Sequence, residues 1–597
     1  MAEQLTRKQA TQLLELISLV KPQLQWLQKE YESRPPLELP QQFLEFFKAS
    51  LSLSHDACTS AWLSLRDEAW AQDEDATEIH ALRAKYLPVF LRHGIPLGIG
   101  KLGLGHEQNA QLTDTHNTGL YSFEPPHRAC KNEACSKAFV SDPSLSRERD
   151  LDGAIRIQVT VFTKEFGAIP DYSTSRKCPK CSTRYYPNYF VDSRSSKRAY
   201  YPATAIVFMQ ISTHYYMSRE VAELFASMQV NAWTSGTNCA KIYNESMKPE
   251  HLTPLLPAEW GYAFDLDVEK VWSAFFLHAL LLDAENSSLE VEHNTVNKFR
   301  LTSALLARNQ RMAGTGQAEW NHACEACTWY TNDEKGNPAV IRSCVTDGKA
   351  MFQLKRRLER LKISQPHSSM PGDNPTSTSD GLEGTGADED EDVVIDENGV
   401  CPDKPETGNQ SVRARFGRRR THNEELCVAS CGVILGRATF YGSEAPNGVR
   451  AFWKRLFPTK RSLPQVLWHD NNCRIVAMLK KDGDSYFSHC ALPVDVFHFK
   501  CKHKEGDVDC GQYCNPYIYS ELRTQNGQWR FNSSAAEQTN AWFGGFQAIV
   551  QEMSAERYDF FLDEMIRRRN ISLVTLSRQR NQNPHNIPRE ALLDTQL

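Results

Sequence analysis

Two cysteine pairs, Cys130-x4-Cys135 and Cys178-x2-Cys181, constrain this chain more than any other feature of it. The stretch between them reads as short β-type runs, Ile155–Phe162 and Arg184–Phe190. Two knuckles joined in this way can close into one tetrahedron of thiolates, the geometry zinc prefers. Pro179 inside the second knuckle suits the tight turn the chain must make there. Four separately buried cysteines would not explain the paired spacing. A closed four-cysteine site of this kind is structural, because it leaves no open position for catalysis.

The wider cysteine usage agrees. A reducing interior would keep the 17 cysteines from pairing as disulfides, and several lie at metal-ligand spacing instead. Met1 to Leu24 carries neither a secretory apolar region nor a cleavage site, so export is not expected. The most apolar window, Val271 to Asp283, is shorter than the ~20 residues of a membrane span and contains a histidine. The net charge of -5 hides a local split between an acidic stretch and an arginine run that follows it.

Along the chain, Leu5–Val20 and Phe43–Leu53 repeat apolar residues at helical spacing, with Pro35, Pro36 and Pro40 between them. Ser218–Met247 and Val268–Asp283 also read as helical. Pro371–Asp392 is rich in Ser, Thr, Gly, Asp and Glu and predicts a disordered loop or linker. Beyond it come a β-like run Leu426–Leu435, a helix Gly448–Phe457, a second β-like run Gln465–Trp468, and helices Ser534–Ser554 and Tyr558–Arg569.

Two further clusters carry metal-ligand chemistry. His322, Cys324 and Cys327 contain a good knuckle, with Cys344 supplied as the fourth ligand by proximity in sequence. His498, Cys501, His503, Cys510 and Cys514 place five potential ligands close together, and spacing does not choose four among them. That segment lacks the H-E-x-x-H helix of a metalloprotease.

Three carboxylates stand where chemistry can use them. Asp347 follows the run AVIRSCVT and Asp470 follows PQVLWH, so both are expected near strand C-termini; Glu537 in SSAAEQTNAWFGG is expected on a helix. Strand-end aspartates and a helix glutamate can converge on a pair of Mg²⁺ ions, which keep water and accept substrate phosphates. On spacing alone, an aspartate after a strand is more often an ordinary turn residue.

The segments HNEELCVASCGVILGRATFYGSEA, VLWHDNNCR, LPVDVFHFKCKHKE, CNPYIYSEL, WRFNSSAAEQTNAWFGGF and FFLDEMIRRRN, between His422 and Asn570, resemble the C-terminal part of fungal Kyakuja-Dileera-Zisupton (KDZ) transposases. The Cys130–Cys181 and Cys324/Cys327 segments are similar to the cysteine clusters that accompany that family, so the resemblance extends from about Tyr121 onward. It implies an α/β fold: a ribonuclease-H-like core with insertions, a zinc-ribbon-like module and an N-terminal helical region. The corresponding divisions are 1–115 (helical), 116–250 (cysteine-cluster zinc module), 251–362 (helical segment, second cluster and first core strand), 363–400 (acidic linker) and 401–597 (core with the third cluster). It also implies an Asp, Asp, Glu triad holding catalytic Mg²⁺ or Mn²⁺, beside structural Zn²⁺. VLWHDNNC carries the second aspartate onto Asp470 and EQTNAW carries the glutamate onto Glu537; Asp347 is the natural first aspartate, and Asp495 in LPVDVFH competes for a place as metal ligand or as partner of His498. The implied partners are transposon ends and target DNA, with multimeric action by copies of the same chain.

Arg413, Arg415, Arg418, Arg419 and Arg420 pack five arginines into eight residues, fit for DNA phosphates or for nuclear import. Lys355–Arg360 and Arg567–Arg569 have glutamates nearby and read as solvated helix faces. Trp529, Phe531, Trp542 and Phe543 read as core rather than as a base-stacking platform. Two rivals to an active transposase are a domesticated or inactive zinc-dependent DNA binder and a zinc-stapled protein scaffold.

Overall fold

The structure is a computed structural model that describes residues 5–28, 34–72, 74–95, 118–133, 135, 150–284, 288–332, 338–350, 422–441, 445–502 and 508–594. The chain divides into two compact units, Met1–Arg308 and Asn309–Leu597. Among the described residues no helix is long and apolar enough to cross a membrane. The acidic stretch and the five arginines Arg413–Arg420 lie outside the described residues.

The first unit opens with α1 (Arg7–Leu27), α2 (Gln41–Leu51), α3 (His55–Ala71) and α4 (Ala76–Val89). Each start is written in the sequence. Thr6 and Gln9 form a capping box on α1, and Asp75 and Glu78 form one on α4, satisfying N–H groups the first turn leaves without partners. Leu13, Leu16, Ile17, Val20 and Leu24 recur at three and four, and all are fully buried.

These side chains share one core with Val159, Val161, Ile169 and Tyr216 of a mixed eight-stranded sheet. Its strands are β1 (Asp152–Phe162), β2 (Ala168–Lys177), β3 (Arg184–Tyr185), β4 (Tyr189–Val191), β5 (Lys197–Tyr200), β6 (Phe208–Ser212), β7 (Tyr215–Ser218) and β8 (Glu290–Glu292), in the order β6-β7-β1-β2-β3-β4-β5-β8. All neighbours are antiparallel except β1 with β7. The single run expected over Arg184–Phe190 is therefore a hairpin, turned between Tyr185 and Tyr189. Helices α5 (Arg219–Ala232), α6 (Gly236–Ser246) and α7 (Val268–Asp283) complete this unit; α5 ends with Trp233 in the left-handed region, which splits the expected Ser218–Met247 helix in two. The buried Asp171 accepts hydrogen bonds from the backbone N–H groups of Tyr121 and Tyr172 at 2.9 and 2.7 Å, and a Cβ on Gly119 would fall 1.8 Å from its Oδ1. Only glycine fits there.

The second unit is built on a five-stranded sheet. β10 (Thr328–Asn332), β11 (Pro338–Ala350), β12 (His422–Ala429) and β13 (Ile434–Tyr441) are antiparallel neighbours, and β14 (Val466–Trp468) lies parallel to β11 on the side away from β12. A separate two-stranded pair joins β9 (His322–Ala323) to β15 (His585–Asn586). The expected single run Leu426–Leu435 is two strands, because Gly432 at φ +95° turns the chain between them. Periodicity missed it since the residues flanking the turn are all buried. Helix α8 (Pro446–Leu456) packs against β13, with Leu456 Cδ1 2.5 Å from where a Cβ on Gly436 would stand. Next come α9 (Asn472–Asp482), α10 (Val496–Lys502), α11 (Val508–Tyr513), α12 (Ala535–Gly544) and α13 (Ala555–Gln579). α12 lies on β11 and β12. Buried indoles each find an acceptor: Trp453 donates to Thr346 Oγ1 and Trp468 to Ser343 Oγ, both at 2.9 Å.

α13 is tied to the sheet by charge. Arg437 on β13 donates to Glu424 at 2.9 Å, to Asp563 at 2.8 Å and to Asp559 at 2.9 Å; Glu424, 0% exposed, also accepts from Tyr558 and Thr439. Removing the cation would leave Glu424 and Asp563 buried without it. Arg437→Ala is expected to cost about 3–5 kcal/mol of stability, read as a lower denaturant midpoint for the second unit.

Candidate metal centres and carboxylate cluster

In the first centre the Sγ atoms of Cys130, Cys135, Cys178 and Cys181 all lie within 4.8 Å of one another. A Zn–S bond of about 2.3 Å sets tetrahedral S···S edges of about 3.8 Å, and Cys130 and Cys181 stand 3.5 Å apart. The second knuckle is shaped by its backbone: Ser182 N–H donates to Cys178 O at 3.0 Å, Cys178 N–H to Thr183 O at 2.9 Å, and Ser182 takes φ 61°. Tyr185 from β3 places its hydroxyl 3.2 Å from Cys130 Sγ. Burial pushes the Cys130 thiol up to about 11. It also pushes on Cys181, where hydrogen bonds with Thr183 and the neighbouring cysteines outweigh it and hold the thiol down to about 7. The group can hold a metal ion, and its all-sulfur donor set suits zinc.

The second centre corrects the sequence reading. His322, Cys324 and Cys327 are joined by Cys431, with ligand atoms within 4.8 Å of one another, and Cys344 is not a member. Strand register decides this. Cys344 on β11 stands opposite Ala429, and its side chain lies in the core beside Cys427, where that neighbour and burial raise its thiol well above the usual range. Cys431 lies two residues past Ala429, in the turn beyond the end of β12. Cys324 and Cys327 are 3.6 Å apart, and the buried Nε2 of His322 has no hydrogen-bond partner among the described residues, as befits a nitrogen kept for a metal. Cys431→Ala should remove one zinc per chain by elemental analysis and Cys344→Ala none. The reverse pattern would reinstate the original set.

The third cluster lies only partly within the described residues. Cys510 and Cys514 are buried with Val494, and Cys473 packs against them; the Cys501 side chain and His503 lie outside what the structure describes. Among the described residues no metal-ligand group unites these cysteines with His498. His498 faces the carboxylates instead. Asp495, 3% exposed, accepts from the backbone N–H groups of Phe497 and His498 at 2.9 and 3.2 Å, capping the start of α10. This fixes the ring so that Nδ1 lies 3.0 Å from Asp470 Oδ1, 3.4 Å from Asp495 Oδ1 and 3.5 Å from Glu537 Oε1. Burial opposes ionisation of Asp495, yet hydrogen bonds from His498 and Ser533 hold its carboxyl down to about 2.

Asp470 is carried by the loop from β14 to α9. Asn472 locks that loop by donating to Leu467 O at 2.8 Å and Pro493 O at 2.7 Å, and His469 Nδ1 accepts from Asn471 N–H at 2.9 Å. Asp347 lies within β11, three residues before its end, rather than just after a strand. Its Oδ2 accepts from Asn540 Nδ2 at 3.0 Å. Asn540 follows Glu537 by three positions on α12, hence on the same helix face. Strand register sets Asp347 level with Asp470, since Val345 pairs with Trp468 two residues before each, while His498 Nδ1 lies within 3.5 Å of both Asp470 and Glu537. Sequence reading missed Asn540 and Asn472, although both stand inside quoted motifs; it grouped His498 with the cysteines, and its alternative of Asp495 as partner of His498 is what the structure shows. Phe531 and Phe543 are core, as expected, whereas Trp542 is partly exposed with Arg569 4.4 Å over its ring.

Taken together, these features define a mixed α/β protein with two cysteine-rich centres able to hold metal and a separate carboxylate cluster. Residues 118–247 match the family described as CxC5-like cysteine cluster associated with KDZ transposases, a stretch that contains the whole first centre, and this supports the KDZ transposase relationship. No curated protein and no solved structure matches the chain.

Proposed function

We propose that this chain is a transposase that cuts DNA and transfers strands by two-metal chemistry, with Asp347, Asp470 and Glu537 as metal ligands and zinc as the staple of both cysteine centres. The observation that carries this reading is the convergence of Asp470 and Glu537 on one atom, His498 Nδ1, while Asn540 ties Asp347 to the same helix. The sheet supports a ribonuclease-H-like core: three consecutive antiparallel strands, then a fourth parallel to the first of them, with carboxylates on the first, after the fourth and on a helix across the sheet.

When bound, Mg²⁺ or Mn²⁺ supplies an activated oxygen nucleophile and stabilises the leaving oxygen. The residues fit such ions, since hard oxygen ligands are what Mg²⁺ takes and the Asp470 and Glu537 side chains are 31% and 41% exposed. The chain's own contribution is positional. Asn540 holds the Asp347 carboxylate, Asn472 holds the Asp470 loop, and Asp495 keeps the buried His498 ring against them. The reading extends to nuclear action on DNA ends by a multimer, with Arg413, Arg415, Arg418, Arg419 and Arg420 contacting phosphates.

The test is cleavage of duplex DNA carrying the element's own ends, with and without Mg²⁺ or Mn²⁺. Metal-dependent nicking or joining is expected. A well-folded, zinc-loaded protein that binds DNA and never cuts it would make this a noncatalytic binder, and absent or salt-insensitive DNA binding would make it a scaffold.

A further inference from the structure

Residues 516–532 lead directly into α12 and carry a row of rings and cations outside the carboxylate cluster. The outer part is a small hairpin. Arg523 bridges Trp529, Thr524 N–H donates to Gln528 O at 2.8 Å, and Gly527 turns the chain at φ +77°, which glycine adopts freely. The Arg530 guanidinium lies 3.8 Å from the ring centroid of Trp329 on β10, and that of Arg523 lies 5.8 Å from Tyr517. Tyr517 meets Trp529 edge to face, with centroids 5.1 Å apart and planes at 74°. Arg530 Nη2 donates to Arg523 O and Arg523 Nη2 to Tyr517 O, both at 3.3 Å, so the five residues form one connected row.

This row is open to an outside partner. Tyr517 is 39% exposed, and Trp329, Trp529, Arg523 and Arg530 are all partly exposed, which corrects the core position expected for Trp529. Neither arginine forms an ion pair among the described residues. Each donates only to backbone carbonyls, so both positive charges remain for an anion. An anion that also carries flat rings matches the whole row. The row is tied to the carboxylate cluster as well: Ser533, three residues after Arg530, hydrogen-bonds Asp495, and three residues span at most about 11 Å.

We propose that this row is a platform for unpaired bases of a DNA strand next to the carboxylate cluster. Bases stack on Trp329, Tyr517 and Trp529, while Arg523 and Arg530 meet the phosphates. Every base has a π-face, so such stacking needs no particular sequence. A guanidinium plane adds a further stacking surface along with its charge. A duplex keeps its base faces covered by their neighbours and engages only the charges. The inference deepens the DNA-handling reading above and rests on it, but not on metal at the carboxylates.

The test uses the full zinc-loaded chain without Mg²⁺ or Mn²⁺. The probe is fluorescein-labelled oligothymidine, with a labelled duplex of equal length beside it. Oligothymidine should bind, and 5-iodouracil placed in it should photo-crosslink to Tyr517, Trp529 or Trp329. Tyr517→Ala and Trp529→Ala should each weaken oligothymidine binding by at least about tenfold and duplex binding little, whereas Trp529→Phe keeps a ring and should retain most of the affinity. Arg530→Ala should lower the salt slope of single-strand binding by about 0.7. Zinc content and circular dichroism establish that the variants are folded, and either folded alanine variant of a ring suffices. Unchanged oligothymidine affinity in such a variant, or crosslinks confined to other residues, would overturn the platform and leave the DNA-handling reading standing. No binding of either DNA would overturn both.

Discussion

Asp470→Asn and Glu537→Gln should each lower metal-dependent DNA cleavage by on the order of 10³-fold or more while the protein stays folded. Each substitution keeps the shape of the side chain and removes one negative charge from the site proposed to hold divalent cations. Metal-ion catalysis is worth several kcal/mol of transition-state stabilisation, and each 1.36 kcal/mol is tenfold in rate, so about 4 kcal/mol sets the expected loss. Folding should be little changed, because both side chains are partly exposed and neither belongs to the buried network around Arg437. Asn540→Ala should cost less, about tenfold, since Asn540 only holds Asp347. The measurements are initial cleavage rates at saturating Mg²⁺ and at saturating Mn²⁺, with melting temperatures alongside. Undiminished cleavage in both carboxylate variants would remove them from the catalytic site.

The second large effect concerns stability. Cys178→Ala should cost one zinc per chain and destabilise the first unit by on the order of 5 kcal/mol, because structural zinc sites contribute their binding energy to folding. The site couples segments far apart in sequence: Cys130 and Cys135 precede β1, whereas Cys178 and Cys181 follow β2. Without the metal, three thiols crowd a buried spot that also holds Tyr185. A chelator strong enough to strip zinc, or acidification that protonates thiolates, should act in the same direction on the wild type. Lys180→Ala, on the exposed side of the same knuckle, serves as the control and should retain full zinc. A Cys178→Ala protein with the wild-type melting temperature and zinc content would show that these four cysteines are only packed thiols.

Much of this was legible from local pattern. The cysteine knuckles show because four residues of chain suffice to turn one sulfur toward another. The helices α1, α7 and α8 show because an apolar face must recur at three and four. Asp470 and Glu537 stand inside motifs whose resemblance extends over many neighbouring residues, so naming them as candidates needed no knowledge of distance.

Other features depend on partners remote in sequence. Cys431 replaced Cys344 because strand register, not proximity, sets which thiol reaches the knuckle at Cys324 and Cys327: Cys344 is held in the β11–β12 core, while the Gly432 turn carries Cys431 past the strand end. His498 was grouped with cysteines that follow it closely, yet the cap from Asp495 points its ring at residues on β14's loop and on α12. The sequence by itself determined the residue types able to bind metal, the helical faces and the knuckle turns, since these follow from backbone geometry within a few residues. Only the tertiary structure decided which ligands share a centre and that Asn540 braces Asp347, because strand register and helix docking bring together groups that no local period relates.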